Sequence, residues 1–205
     1  MYFPENSSYE NEAHHCGADC QCKAQDFYRQ FILTNGMRLA WEQHIYWTRL
    51  FLISTAERLA DLKETTARLM RNPQDIAKVF EPYYPANLTR EIAQLITEHL
   101  QIGGDLITAL RDKKSVEANE LTKKWYANAD KMSEFFASIN PNYKLKEVRD
   151  MFYKHLELTT NEVAARLAGR YAEDIAAFDK VEREALMMAD YFSQGIMREF
   201  PRKFE

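Results

Sequence analysis

The segment Trp41-Glu42-Gln43-His44-Ile45-Tyr46-Trp47-Thr48-Arg49 decides how the chain is read. Two Trp, a Tyr, a Glu, a His and an Arg fall within nine residues. Wound as a helix, the stretch puts His44 on one face with Leu33, Met37, Ala40, Trp47 and Phe51, because residues three and four apart stack on one side. An imidazole then interrupts an apolar stripe.

Beyond the first 24 residues the chain has only two more His, His99 and His155. The spacings are 55 and 56 residues, a regularity that prompts a search for a repeat. Each His is followed by a turn and then by an Asp. His44 to Asp75 and His99 to Asp130 are both 31 residues, and His155 to Asp190 is 35. Local contexts agree: Glu98-His99-Leu100 parallels Lys154-His155-Leu156, and Asn128-Ala129-Asp130 parallels Met188-Ala189-Asp190.

The chain therefore reads as an all-α antiparallel bundle of three tandem αα-hairpins, about six helices, following a disordered N-terminal tail. The hairpins span about 26–80, 88–139 and 144–200 within one domain, 25–205. Helix A is expected from Asp26 to Leu59. Helix B covers Asp61 to Phe80, with Pro73 kinking or splitting it. Glu81-Pro82-Tyr83-Tyr84-Pro85 is a linker, because two Pro stop any helix. Gly169 is a natural helix stop and Pro201 ends the last pattern.

The same periodicity places polar groups at mid-height in several apolar stripes. Helix C carries Ile92, Leu95, His99, Ile102 and Leu106. Helix D carries Leu121, Trp125, Asn128, Met132 and Phe135. Helix E carries Val148, Met151, His155, Leu158 and Glu162. Helix F carries Tyr171, Ile175, Phe178, Glu182, Ala185, Ala189 and Phe192. A buried polar group without a partner costs about 1–3 kcal/mol, so these groups are expected to meet. They can form a hydrogen-bonded network that fixes helix register. They can equally surround a divalent transition metal such as Zn²⁺, Fe²⁺ or Mn²⁺, with His44, His99, His155 and Glu162 or Glu182 as ligands. Asn128, Asp75, Asp130 and Asp190 suit outer-shell partners better. Glu-x-x-His, the mark of di-iron carboxylate bundles, is absent from the sequence. Gly103-Gly104, one turn beyond His99, permits close backbone approach or a gap beside the His layer.

The three Cys all lie in the N-terminal stretch His14-His15-Cys16-Gly17-Ala18-Asp19-Cys20-Gln21-Cys22. His14, His15, Cys16, Cys20 and Cys22 form a soft-metal candidate on residues 1–24, although the spacing matches no standard zinc module. Otherwise this is a flexible tail with exposed thiols.

Composition bounds the function. Hydrophobic residues make up 46% and charged residues 28%, and net charge is −4. No basic field exists to attract nucleic acid, and no apolar run is long enough to span a bilayer. Met1-Tyr2-Phe3-Pro4-Glu5-Asn6 lacks the regions of a secretory signal, so a cytoplasmic location is the default expectation. P-loop, G-x-G-x-x-G and G-x-S-x-G motifs are missing. A homo-oligomer or a protein partner stays open.

Five segments carry a resemblance to known proteins: Trp41-Glu42-x-His44-x-x-Trp47-Thr48-Arg49, Arg68-Leu69-x-Arg71-Asn72, Glu81-Pro82-Tyr83-Tyr84, Trp125-Tyr126-Ala127-Asn128-Ala129-Asp130 and Ala185-Leu186-Met187-Met188-Ala189-Asp190. Over residues 27–204 the chain resembles a family of small helical proteins of spore-forming bacteria, many of which carry the label "acetylglutamate kinase". The label implies an α/β fold with Gly-rich phosphate loops. This sequence has neither strands nor such loops, so the label is set aside and no catalytic residue is carried over. The chain departs from the family at Gly103-Gly104, where Ala is usual, and in its Cys/His tail. The expectation is a non-catalytic bundle holding a metal or small ligand at its His layer. The alternatives are a structural or protein-interaction module, spore-associated as the resemblance implies, whose His layer is a purely structural network, and a metal-dependent enzyme.

Overall fold

The structure, a computed structural model, describes residues 18–205, with side chains from residue 25 onward. Seven α-helices and a short 3-10 turn make up the described residues. They are α1 (Ala18–Glu57), α2 (Leu62–Leu69), α3 (Asn72–Phe80), α4 (Ala86–Arg111), α5 (Ser115–Ile139), α6 (Leu145–Leu167) and α7 (Tyr171–Glu199), then Pro201–Lys203. The all-α bundle of three hairpins expected from the sequence is the observed architecture. Helix α1 begins at Ala18 rather than Asp26. Pro73 splits the second helix into α2 and α3, as its position in the sequence predicts. Proline is tolerated in a first helical turn, where its missing N–H has no partner to lose. His14, His15 and Cys16 lie outside the described residues. Cys20 and Cys22 fall in the first turns of α1, before the described side chains begin.

The three hairpins close at one end with the same backbone device. Leu59 N–H reaches the Ser54 carbonyl, Lys114 N–H the Ala109 carbonyl and Arg170 N–H the Ala165 carbonyl. Each is a six-to-one bond across a left-handed residue: Arg58 (φ 53°), Lys113 (φ 58°) and Gly169 (φ 72°). Equivalent turns set the three hairpins at equivalent heights.

Packing arranges the helices as a ring around a centre. The outgoing helices α1, α4 and α6 each contact the other two. The return helices α3, α5 and α7 pack against their own outgoing partner and against the next hairpin. Aromatic side chains fill the end away from the hairpin turns: Phe136 lies 5.8 Å from Phe80, 4.6 Å from Phe192 and 6.2 Å from Phe152, ring centre to ring centre. Asn140 ties this end together, donating to Tyr84 Oη at 2.8 Å and to the Gly195 carbonyl at 3.0 Å. Toward the turns lies a smaller apolar cluster of Phe51, Leu52, Leu69, Leu100, Ile107 and Val163. No described helix is long and apolar enough to cross a membrane.

Candidate metal centre

Three outgoing helices place one imidazole each on the bundle axis. His44 from α1, His99 from α4 and His155 from α6 are 4%, 4% and 5% exposed. Their ring centres form a near-equilateral triangle of 6.4, 5.9 and 6.3 Å. One nitrogen of each ring lies within 4.8 Å of one from each of the others. Helical spacing put each His on a core stripe, and the shared turn geometry brings the three stripes to one height.

Each imidazole is anchored from behind by its own return helix. Nδ1 of His44 meets Asn72 Oδ1 at 2.8 Å, Nδ1 of His99 meets Asn128 Oδ1 at 3.0 Å, and Nδ1 of His155 meets Glu184 Oε2 at 3.0 Å. The sequence separations are 28, 29 and 29 residues. These contacts determine the tautomers. Asn72 donates its amide to the Ala40 carbonyl at 2.9 Å, and Asn128 donates to the Leu95 carbonyl at 3.2 Å. Both amide oxygens therefore face the rings as acceptors. The Glu184 carboxylate is an acceptor as well. All three Nδ1 atoms carry a proton and donate it outward; on the neutral rings of His44 and His99 this leaves a bare lone pair on Nε2. Among the described residues no hydrogen bond reaches any of the three Nε2 atoms.

Electrostatics keeps His44 and His99 neutral. Burial lowers His44 to about 4, with neighbouring His155 adding to the effect and Asn72 opposing it. Burial also drives His99 well below its ordinary value, helped by His155 and His44 and opposed by Asn128. Charging a ring here means taking a cation out of water beside two other imidazoles.

The other residues expected near the layer take different positions. Glu162 is buried on the same face of α6 as His155 but two helical turns, about 10 Å, further along, and accepts from Arg49 at 2.6 Å. Arg49 also pairs with fully buried Asp174 at 2.8 Å. Burial raises the Glu162 carboxyl to about 7, against Arg49, which holds it down, and with Asp174 adding to the rise. Glu182 turns away from the centre and accepts from Tyr46 Oη at 2.7 Å. The buried face of α7 runs through Asp174, Val181, Ala185 and Met188, a register that carries Glu184 inward beside His155. Asp75 pairs with Arg68 at 3.8 Å, Asp130 with Arg149 at 2.8 Å, and Asp190 with Arg38 at 2.5 Å. None of these three Asp touches an imidazole; of the four outer-shell candidates, Asn128 alone does so.

No family model matches the chain, and no curated protein or solved structure is significantly similar to it. Its site is thus read from geometry alone.

Above the triangle, toward the hairpin turns, lies a cavity of about 20 Å³ lined by the three His with Thr48, Phe51, Gly103, Trp125 and Thr159 among others. Glycine makes the space. A Cβ on Gly103 would stand 3.2 Å from the Trp125 indole, and one on Gly104 would stand 3.3 Å from the Phe51 ring. Below the triangle the walls are Trp41, Ile76, Ile96, Met132 and Phe152, with the Trp41 indole N–H unpartnered among the described residues.

Sequence reading missed Asn72, Glu184 and Thr159. The first two were visible as a constant offset of 28–29 residues after each His, rather than as the Asp at 31 or 35. Thr159 carried a weaker signal, as the position one turn after His155.

Proposed function

We propose that the protein binds one divalent transition-metal ion on Nε2 of His44, His99 and His155, with Zn²⁺ the first choice. The observation that supports this best is the set of tautomers. The bare acceptor nitrogens of His44 and His99 converge with the His155 ring on one enclosed cavity, and neither has a proton to offer the other. A purely structural network would have one of these two imidazoles donate to the other. An unpartnered buried acceptor costs about 1–3 kcal/mol, and a cation in their midst removes that cost.

The geometry suits the ion. Zn–N bonds of about 2.0–2.1 Å put tetrahedral ligand nitrogens about 3.4 Å apart, so the triangle closes by roughly 1 Å on binding. All-imidazole ligation favours zinc over manganese, which prefers oxygen donors. The Nδ1–H bonds to Asn72, Asn128 and Glu184 are the outer contacts that orient metal-bound His and raise its basicity. Glu184 also brings a negative charge behind His155. Its second oxygen is buried without a partner among the described residues, an arrangement a nearby dication offsets.

Thermal unfolding of the full chain with and without Zn²⁺ tests the reading. A ligand that binds only the folded state at a hundred times its Kd stabilises by about 2.7 kcal/mol, so the wild type gains several degrees. His99→Ala should gain none. Equal gains in both proteins, or no gain in either, contradict the proposal.

A further inference from the structure

The three His occupy one side of a tetrahedral ion and leave a fourth position, directed along the bundle axis. Two cavities flank the triangle on that axis, and they differ in chemistry. Besides the His, the lower one is walled by apolar side chains and by Trp41, whose indole N–H, unpartnered among the described residues, can donate but cannot accept from a metal-bound water. The upper one contains a hydroxyl with nothing to bond to.

That hydroxyl is Thr159 Oγ1. The residue is 4% exposed, lines the upper cavity, and its Oγ1 has no hydrogen-bond partner among the described residues. Helical Thr normally returns its proton to the carbonyl four residues back. Thr48, Thr66, Thr97, Thr108, Thr122 and Thr160 all do so here, at 2.6–2.9 Å. Thr55 and Thr159 do not, and of these two only Thr159 lines the cavity, forgoing the His155 carbonyl. An unmade buried hydrogen bond is expensive, so a partner inside the cavity is called for.

A route leads in from the surface. Phe51, Leu69, Leu100 and Gly104 line the upper cavity and also an open groove of about 500 Å³ floored by Thr66, Met70, Gln101, Asp105 and Thr108. The same four residues separate groove from centre. Phe51 stands against Gly104, which has no side chain to wedge it, so a ring rotation connects the two spaces.

We infer that the metal centre is open on its upper side, with a solvent molecule as fourth ligand hydrogen-bonded to Thr159 Oγ1 and replaceable by a small anion that enters past Phe51. This rests on the metal reading given above. Size sets the class of ligand. A cavity of about 20 Å³ holds a water with some room over, so an incoming group is limited to roughly two or three non-hydrogen atoms. A hydroxyl that both donates and accepts can serve water, hydroxide or an inorganic anion. An ion with three protein ligands and one exchangeable solvent is the arrangement of catalytic rather than structural zinc sites.

The test uses the full chain loaded with Co²⁺, whose visible spectrum reports coordination, and azide as the probe anion. One Co²⁺ per chain with a saturable spectral change on adding azide is the expected result. Thr159→Val should weaken azide binding about tenfold, and Thr159→Ser should restore it. Phe51→Leu should raise the azide association rate several-fold. Co²⁺ binding without any response to azide overturns the open site and leaves the metal reading standing. Equal azide affinity in Thr159→Val and the wild type overturns the role of the hydroxyl, and an unchanged rate in Phe51→Leu overturns the entry path. Failure to bind Co²⁺ at all overturns both readings.

Discussion

His44 and Asn72 meet at 2.8 Å across the first hairpin, and Asn72 in turn holds the Ala40 carbonyl one helical turn before His44. The pair fixes the ring's tautomer and its direction in one contact. Asn72 reaches this place because Pro73 breaks the return helix and starts α3 at Asn72 itself. Asn72→Leu removes the acceptor while keeping the volume. It should weaken Zn²⁺ binding about 10–100-fold, the usual effect of losing an outer contact. Asn72→Asp keeps an acceptor and should bind within a few-fold of the wild type. A chelator-competition titration reads both, and equal affinity in Asn72→Leu contradicts the assigned tautomer.

Much of this was legible in the sequence, and the limits were physical. The three His declared themselves by lying on apolar stripes at near-constant spacing, and the hairpins by their Pro and Gly punctuation. Asn128 was found because it shares a stripe with Trp125 and Met132. Asn72 was passed over in favour of Asp75, which repeats the 31-residue offset of Asp130 from His99, although Asn72 lies on the buried stripe of Leu69, Ile76 and Phe80. Glu184 was hidden for a different reason: exposed Tyr171 and Ile175 counted as core in the sequence, which rotated α7 and brought Glu182 inward in its place. Two residues of rotation on a helix is about 200°, enough to exchange inside for outside.

Acid should destabilise the metal-free protein through the imidazoles. The unfolded chain protonates His44 near 6.5, but the folded ring takes its proton only at about 4. Its contribution is therefore complete above pH 6.5 and is lost as pH falls toward 4, amounting to about 3 kcal/mol over that span. His99 shifts in the same direction. Glu162 works oppositely, because a carboxyl raised to about 7 favours the folded state at low pH and loses that contribution as pH rises from about 4.5 to 7. Urea unfolding of Glu162→Gln with EDTA isolates the His effect. Stability should drop between pH 7 and 5. A flat or rising profile contradicts the burial of neutral rings.

Arg49 bridges two buried carboxylates, Glu162 and Asp174, at 2.6 and 2.8 Å. Arg49→Ala strands both and should cost about 3–5 kcal/mol, the range for breaking a buried pair from one side. Adding Glu162→Gln should recover part of the loss. Glu162→Gln alone should leave Zn²⁺ stoichiometry unchanged, since the carboxylate faces Arg49 and not the imidazoles. Denaturant melts and a metal titration on the same samples check the two statements, and a lost equivalent of zinc in Glu162→Gln contradicts the second.

Gly195 lets Tyr143 close the far end of the bundle. A Cβ there would lie 2.0 Å from the Tyr143 ring, which is 2% exposed and donates to the Phe192 carbonyl at 2.7 Å. The ring cannot yield without losing that bond. Gly195→Ala should destabilise by about 1–3 kcal/mol or more, as overpacking does, although Ala is ordinarily the better helix former. Thermal melts measure it, and a gain in stability contradicts the packing described.

The central claim concerns an ion on three imidazoles, and elemental analysis of the purified full chain tests it most directly. The measurement is best made with Cys16→Ser, Cys20→Ser and Cys22→Ser in place, so that thiols contribute nothing. The account predicts close to one transition-metal ion per chain, zinc foremost, and its loss in His44→Ala, in His99→Ala and in His155→Ala. A chain that purifies without metal and takes none up from added Zn²⁺, or that keeps its full equivalent after any of those three substitutions, contradicts it.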